Sequence, residues 1–402
     1  MITMKKMIPA LLAVSLALGA APLMAAESVV IKPLRNAPAD FIKGADISTL
    51  LEVERQGGVF YDENRARVDP IALLKKNGVN YIRLRLWVDP RDAAGHPYGG
   101  GDNDLATTLT LAKRAKDQGL KLLLDLQFSD FWTDPGKQFK PKAWAHLSYD
   151  QLKVVIHDYT RDTIARFKRE GVLPDMVQIG NEINGGILWP EGKSWGQGGG
   201  EFDRLAGLLN ASIAGLRENL SSPGQVKIML HLAEGTKNDT FRWWFDEITK
   251  RGVPFDVIGL SMYTYWNGPI SALKANMDDI SQRYNKDVIV VEAAYGYTLA
   301  NCDNAPNSFG AKEAAAGRYP ATVQGQADFI RDLMQSVIDV PNKRGKGVFY
   351  WEPTWIIAAG NTWATEAGMD YINDHGFIGN ARENQALFNC QGEALPSIKV
   401  FN

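Results

Sequence analysis

Short apolar runs recur along the chain, each giving way to polar or small residues and then to a stretch with helical spacing. They lie at 41–48, 81–87, 121–128 and 176–182 in the first half, and at 227–234, 257–263, 288–295 and 347–353 in the second. Runs of this length, bounded by turn residues, predict buried strands. Helical periodicity fills the intervals, over 105–118, 149–170, 202–219, 270–284 and 326–340. Gly78, Gly119 and Gly171 each stand just before a strand, where a left-handed cap ends the preceding helix. Strands alternating with helices pair in parallel through right-handed crossovers. Eight such units predict an α/β fold, a single (β/α)8 TIM barrel with long βα loops. The competing arrangement, an open doubly wound sheet, calls for a glycine-rich phosphate fingerprint after its first strand. Gly44 alone does not supply one, and the glycine runs at 99–101 and 198–200 lack its spacing and any P-loop lysine.

In such a barrel, chemistry gathers at the C-terminal ends of the strands. Here those ends are polar: Asp46, then Arg83 and Arg85, then Asp125, then Asn181 with Glu182, followed by His231, Tyr263, Glu292, and Trp351 with Glu352. Buried charges cost several kcal/mol unless paired, so this rim is either a dense ion network or an active site, and the set as a whole favours the latter. Glu182 and Glu292 end apolar strands four and seven, from which they can face each other across the mouth. Carboxyls about 5–5.5 Å apart suit a retaining glycosidase, and roughly 6.5–9.5 Å an inverting one. Spacing alone leaves Asp125 and Glu352 as competitors.

Composition sharpens this picture. Of 402 residues, 45% are hydrophobic and 22% charged, enough apolar material for a large core. The balance of 44 basic and 46 acidic side chains gives a net charge of −2, without the basic footprint of a nucleic-acid binder. The 11 tryptophans fall largely at strand ends or in the loops beyond them, among them Trp132, Trp189, Trp195, Trp266, Trp351, Trp355 and Trp363. Flat aromatic faces at a barrel mouth suit the C–H faces of sugar rings.

At the N-terminus, Lys5 and Lys6 precede an apolar stretch from Met7 to about Leu18, and small residues come after it around Ala25 and Ala26. This predicts a cleaved secretory signal over 1–26. Pro9, Gly19 and Pro22 interrupt the stretch, which is shorter than the roughly 20 residues of a membrane span. Cleavage takes two of the 44 basic side chains and leaves 42 against 46 acidic, a net of −4. The expected product is a secreted or periplasmic domain over 27–402, with no membrane partner after cleavage. In an oxidising compartment Cys302 and Cys390 are expected to pair, free buried thiols being the alternative.

Several stretches carry a family resemblance: GADIS at 44–48, RLRLWVDP at 83–90, SDFWTDPGKQFKPKAW at 129–144, QIGNEINGGILWPEG at 178–192, VEAAYGYT at 291–298, YPATVQGQADFIRDL at 319–333 and VFYWEPTWI at 348–356. The chain resembles the arabinogalactan endo-β-1,4-galactanases, glycoside hydrolase family 53, from about residue 40 to 390. The resemblance implies a retaining endo-glycosidase acting on β-1,4-galactan side chains of pectin. It implies Glu182 as general acid/base, Glu292 as nucleophile, Asn181 on the sugar 2-hydroxyl and Arg85 holding Glu292 ionised. Trp351 would floor the site beside the cut, with Trp132 and Trp355 as stacking platforms further along. Asp125, Ser129, Asp130, His231 and Tyr263 complete the expected substrate-binding set.

Gln127-Phe128, the SMYTYWNG run at 261–268 and the LAEG after His231 depart from the family pattern along the groove. No cofactor is required by this chemistry. Some relatives carry a structural calcium between the seventh and eighth strand loops, but the 298–310 stretch does not reproduce an aspartate-rich ligand set, so the expected tie there is the Cys302–Cys390 disulfide. A monomer is expected, with polysaccharide as partner. The alternative readings are a related barrel glycosidase acting on mannan, xylan or β-glucan, and a non-catalytic galactan-binding barrel.

Overall fold

The computed structural model describes residues 28–402, and the expected signal at 1–26 lies outside them. The eight predicted strands all form: β1 (Ile42–Asp46), β2 (Tyr81–Leu86), β3 (Lys121–Leu126), β4 (Met176–Ile179), β5 (Lys227–Leu232), β6 (Val257–Ser261), β7 (Asp287–Ala293) and β8 (Gly345–Trp351). They are parallel and close into one barrel in sequential order, with β8 pairing back onto β1. Helices Leu105–Asp117, Tyr149–Arg169, Glu201–Arg217, Asn238–Lys250, Ile270–Tyr284 and Val323–Ile338 bury their apolar faces against the outside of the sheet. Side-chain caps start several of them: Asp104 accepts from the Thr107 amide, and Ser148 forms a capping box with Gln151.

The last unit is irregular. Beyond β8 the chain forms a short helix, Glu366–Ile372, and a 3-10 segment, Pro396–Phe401. The latter docks on the long helix before β8 through Ser397, whose hydroxyl donates to Gln326 Oε1 at 2.6 Å. Its end meets β1, where the Lys43 ammonium donates to the Phe401 carbonyl at 2.6 Å.

Period-two alternation sorts each strand into a face toward the helices and a face toward the lumen. Tyr81, Leu123, Met176, Met229, Val257, Ile289, Val291 and Phe349 pack together inside the lower barrel and plug it. Two residues further along the same strands the lumen turns polar, with Arg83, Asp125, Gln178 and His231, all buried. Among the described residues no helix is long and apolar enough to cross a membrane.

Candidate active site

Arg83 stands at the centre of the polar layer because its register neighbours carry the carboxylates. Asp46 of β1 pairs with it across one ladder, and Asp125 lies two positions along the next strand. Its guanidinium donates to Asp46 at 2.8 Å, Asp125 at 2.9 Å, Asn181 Oδ1 at 2.9 Å and Gln178 Oε1 at 3.2 Å, and ion-pairs with Glu292 at 2.9 Å. Burial alone would lower its pKa, but the carboxylates of Asp125, Glu292 and Asp46 outweigh that and push it up.

Glu292 reaches this lumen through a bulge in β7. Leu260 and Ser261 of β6 pair with Val290 and Glu292, while Val348 and Tyr350 of β8 pair with Val290 and Ala293. Both neighbours therefore skip one residue of β7 between Val290 and Ala293. A bulge switches the facing of the residues beyond it, so Glu292 points inward although Val291 also belongs to the inner plug. Besides Arg83, its carboxylate accepts from the Tyr263 hydroxyl at 3.1 Å. Burial and the Glu292 charge hold the Tyr263 phenol well above its ordinary range, so it remains a donor.

Glu182 has a different surrounding. It comes after β4 in a left-handed conformation, φ 50° and ψ 50°, uncommon for a side chain with a Cβ. Its amide donates to His231 Nδ1 at 3.3 Å. Gln178 Nε2 also lies 3.0 Å from Nδ1, so that nitrogen faces two N–H donors and is the acceptor. The ring proton is then on Nε2, which donates to Ser261 Oγ at 2.8 Å, and the Ser261 hydroxyl donates onward to Glu182 Oε1 at 2.6 Å. Burial, with the Arg83 charge nearby, holds the His231 pKa well below the ordinary value, which keeps the ring neutral. Room for this chain exists because β6 carries Gly259, where a Cβ would lie 2.7 Å from the Met229 sulfur and 3.3 Å from His231 Cβ. Burial, then the Glu292 charge, pushes the Glu182 carboxyl well above the usual range.

Both glutamates open into a cavity of about 610 Å³ at the C-terminal mouth. Its walls include Trp132, Trp266, Trp351, Trp355 and Trp363. Arg382 lies over three rings of this wall, 5.0 Å from Trp266, 5.2 Å from Trp351 and 5.8 Å from Tyr263. Asn181 lines the cavity with its Oδ1 on Arg83 and its Nδ2 donating to the Thr133 carbonyl at 2.9 Å.

Several expected residues sit elsewhere. The guanidinium against Glu292 is that of Arg83. Arg85, one layer higher, lines the cavity but pairs with Glu352 at 2.6 Å and packs 4.4 Å from the Trp132 ring. Glu352 is buried between Arg85 and Thr49, and Asp125 among Arg83, Gln127 and Gln178, so neither competing carboxylate faces the cavity. Ser129 and Asp130 are buried in the β3 loop away from it. Asp130 anchors that loop, accepting from the Asp89 and Lys142 amides at 3.0 and 2.7 Å. His231 is buried beneath Glu182 and leaves the cavity wall to others. The Trp355 ring, only 1% exposed, lines the cavity at its edge, meets Trp132 at 6.2 Å and donates to Asn361, so Trp132 offers the more exposed face. Ser261, Gln178 and Arg382 are functional-site residues that their sequence positions do not single out. A polar glutamine inside the otherwise apolar MVQI strand was the one available signal.

The two cysteines form the expected disulfide, with Cα atoms 6.2 Å apart and a sequence separation of 88. In the loop it holds, several carboxylate oxygens are engaged by protein donors. Asp303 spends both oxygens on the Ala305 and Asn380 amides, each at 2.7 Å, and Glu383 Oε1 accepts from the Cys302 amide and Asn307. Among side-chain oxygens there, Glu383 Oε2, Asn307 Oδ1 and Asn384 Oδ1 are buried without hydrogen-bond partners. No cluster of three or more His, Cys, Asp or Glu that could hold a metal occurs among the described residues.

A closed (β/α)8 barrel with glutamates and a tryptophan wall at its mouth has the architecture of a glycoside hydrolase. The chain matches glycosyl hydrolase family 53 over residues 42–401 and belongs to that family. It is 36% identical to the endo-beta-1,4-galactanase of Bacillus subtilis (strain 168), over 94% of this chain and 89% of that protein. It is also 36% identical to the arabinogalactan endo-beta-1,4-galactanase of Cellvibrio japonicus (strain Ueda107), over 91% and 94%. The solved family 53 catalytic domain of Ignisphaera aggregans superposes with a TM-score of 0.86 at 42% identity, covering 93% of this chain and 99% of that one.

Proposed function

We propose that this protein is an exported endo-galactanase that hydrolyses β-1,4-galactosidic linkages in the (arabino)galactan side chains of pectin with retention of configuration. The observation that carries the reading is the unequal pair of glutamates in one cavity: Glu292 is ion-paired to Arg83 at 2.9 Å, while burial and Glu292 push the Glu182 carboxyl up. A carboxyl that keeps its proton beside a carboxylate ion-paired to an arginine supplies an acid and a nucleophile. Glu182 gives its proton to the glycosidic oxygen as that bond to the anomeric carbon breaks. A Glu292 oxygen bonds to the anomeric carbon from the opposite face, giving a covalent galactosyl ester. Glu182, now ionised, takes a proton from water, which displaces Glu292.

Asn181 holds the sugar 2-hydroxyl near the reacting carbon, and Arg83 steadies the Glu292 charge. The Ser261 hydroxyl pins Glu182 Oε1, which leaves Oε2 to carry the transferred proton. Trp351 floors the site, and Trp132, braced by Arg85 and Trp355, extends it. A neutral polysaccharide suits a mouth of aromatic faces. The segment 1–26 directs export, and the protein acts as a monomer on its polymer.

Reducing-sugar release from purified galactan, mannan, xylan and β-glucan tests the substrate, with galactan expected to give the highest rate and a preference for another polymer overturning it. Glu182→Gln is expected to lower turnover on galactan by about 10²–10⁴-fold with the fold intact. Near-full activity would remove Glu182 from the mechanism.

A further inference from the structure

Four cations line the cavity, Arg83, Arg85, Lys137 and Arg382, and three of them are neutralised by carboxylates of the protein. Arg83 pairs with Asp46, Asp125 and Glu292, Arg85 with Glu352, and Lys137 with Asp134 and Asp374. Arg382 differs. Among the described residues no carboxylate ion-pairs with it, and its Nη1 is buried without a hydrogen-bond partner.

Aromatic faces and a fixed backbone hold this guanidinium in the wall. It lies over the rings of Trp266, Trp351 and Tyr263. The Arg382 amide donates to Asn380 Oδ1 at 2.9 Å, and its carbonyl accepts from the Gln385 amide at 2.9 Å. The carbonyl of the preceding Ala381 accepts from the Ser308 amide at 2.9 Å and the Ser308 hydroxyl at 3.1 Å. Tyr263 donates in turn to Glu292, so the position borders the reacting carboxylate. The Glu292 charge is already met by Arg83, which leaves Arg382 for a charge that arrives with the substrate.

A cation drawn partly out of water without a counter-charge is costly, and contacts with aromatic faces offset only part of that cost. A neutral polymer would be served by hydroxyl and amide donors, which carry no such penalty. The planar guanidinium fork instead matches a carboxylate, to which it can make two parallel N–H···O bonds. In a polysaccharide that carboxylate belongs to a uronic acid.

We propose that Arg382 binds the carboxylate of a uronic acid unit lying beside the galactosidic linkage that is cut. This rests on the reading of the cavity as a galactan cleft. Two sources share the chemistry: galacturonate of a pectic backbone and glucuronate attached to an arabinogalactan.

The test titrates the protein with disaccharides and follows tryptophan fluorescence. Galactosyl-galacturonate is compared with galactobiose, and galactosyl-glucuronate with galactosyl-glucose; each pair differs only in a carboxylate for a primary alcohol. At least one acidic member is expected to bind about three- to tenfold more tightly than its neutral counterpart, the range of one partly buried guanidinium–carboxylate pair, and the pair showing the preference identifies the source. Arg382→Met is expected to abolish that preference and Arg382→Lys to keep part of it, and about 0.5 M salt to reduce it in the wild-type protein. Equal affinities within both pairs for the wild-type protein overturn the proposal. So does an equal loss for acidic and neutral members in Arg382→Met, which would make Arg382 a donor to sugar hydroxyls. A protein that cuts another polymer yet keeps the preference for the acidic disaccharide would fail the galactan reading and retain the uronate site.

Discussion

Replacing Ser261 with alanine removes the hydroxyl that donates to Glu182 Oε1 at 2.6 Å. A hydrogen bond to a charged group contributes about 1.5–3 kcal/mol and one between neutral groups about 0.5–1.5 kcal/mol. The hydroxyl thus favours ionised over protonated Glu182 by roughly 1–1.5 kcal/mol, or about one pKa unit. The other charges facing Glu182 stay in place: Glu292 and Asp134 push its pKa up and Arg83 pulls it down. Neutral His231 keeps its contact with the Glu182 amide. Losing a donor to the charged form raises the pKa, so Glu182 keeps its proton to higher pH. The assay is kcat/KM on galactan across pH, whose alkaline limb reports the acid of the free enzyme. That limb is expected to move up by about one pH unit in Ser261→Ala and to return in Ser261→Thr, which keeps the hydroxyl. An alkaline limb that stays in place or moves down, in a variant with unchanged Tm, would refute the hydrogen-bond chain as the control on Glu182.

Two further outcomes concern stability. Burial, then the Asp102 charge, pushes the Glu52 carboxyl up to about 8, and burial, against the pull of the paired arginines, pushes Asp125 and Glu352 up to about 7. A carboxyl raised on folding contributes stability that is complete below its unfolded pKa and is lost as pH rises through the folded one. Calorimetric Tm is therefore expected to fall as pH rises from about 4.5, the ordinary carboxyl range, to about 8, and Glu52→Gln, uncharged and of the same shape, to fall less steeply; an identical decline would contradict the assignment. Reduction of the Cys302–Cys390 bridge is expected to cost roughly 4–5 kcal/mol by loop entropy, about 5 °C in Tm for a chain of this size, whereas chelation of the oxidised protein leaves Tm unchanged; a drop on chelation would show a bound cation.

The barrel was legible because each strand is a compact apolar run set off by turn residues, and every one of the eight formed within a few residues of its expected place. The irregular last unit was not, since the segment after β8 lacks a helical period of barrel length and is held by its contacts with Gln326 and Lys43. At the mouth, the two glutamates and Asn181 could be read from their positions at strand ends. Depth could not. Arg83 and Arg85 are two residues apart and face the same lumen, so only the register with Asp46 and the bulge in β7 decides which one meets Glu292. The same limit applies to Asp125 and His231, whose residue types suit a groove but whose layer lies beneath its surface. Ser261 was invisible for a different reason: a serine in an apolar strand acquires its role only from His231 on the neighbouring strand.

Trapping tests the proposed mechanism most directly. A 2-deoxy-2-fluoro-galactobiosyl donor with a reactive leaving group slows the second displacement, so the glycosyl ester accumulates and peptide mass mapping locates it. The expected result is one label per chain on the peptide carrying Glu292, with the β anomer forming first when wild-type enzyme cuts galactan. A label on another carboxylate, or an α anomer as first product, would contradict the account.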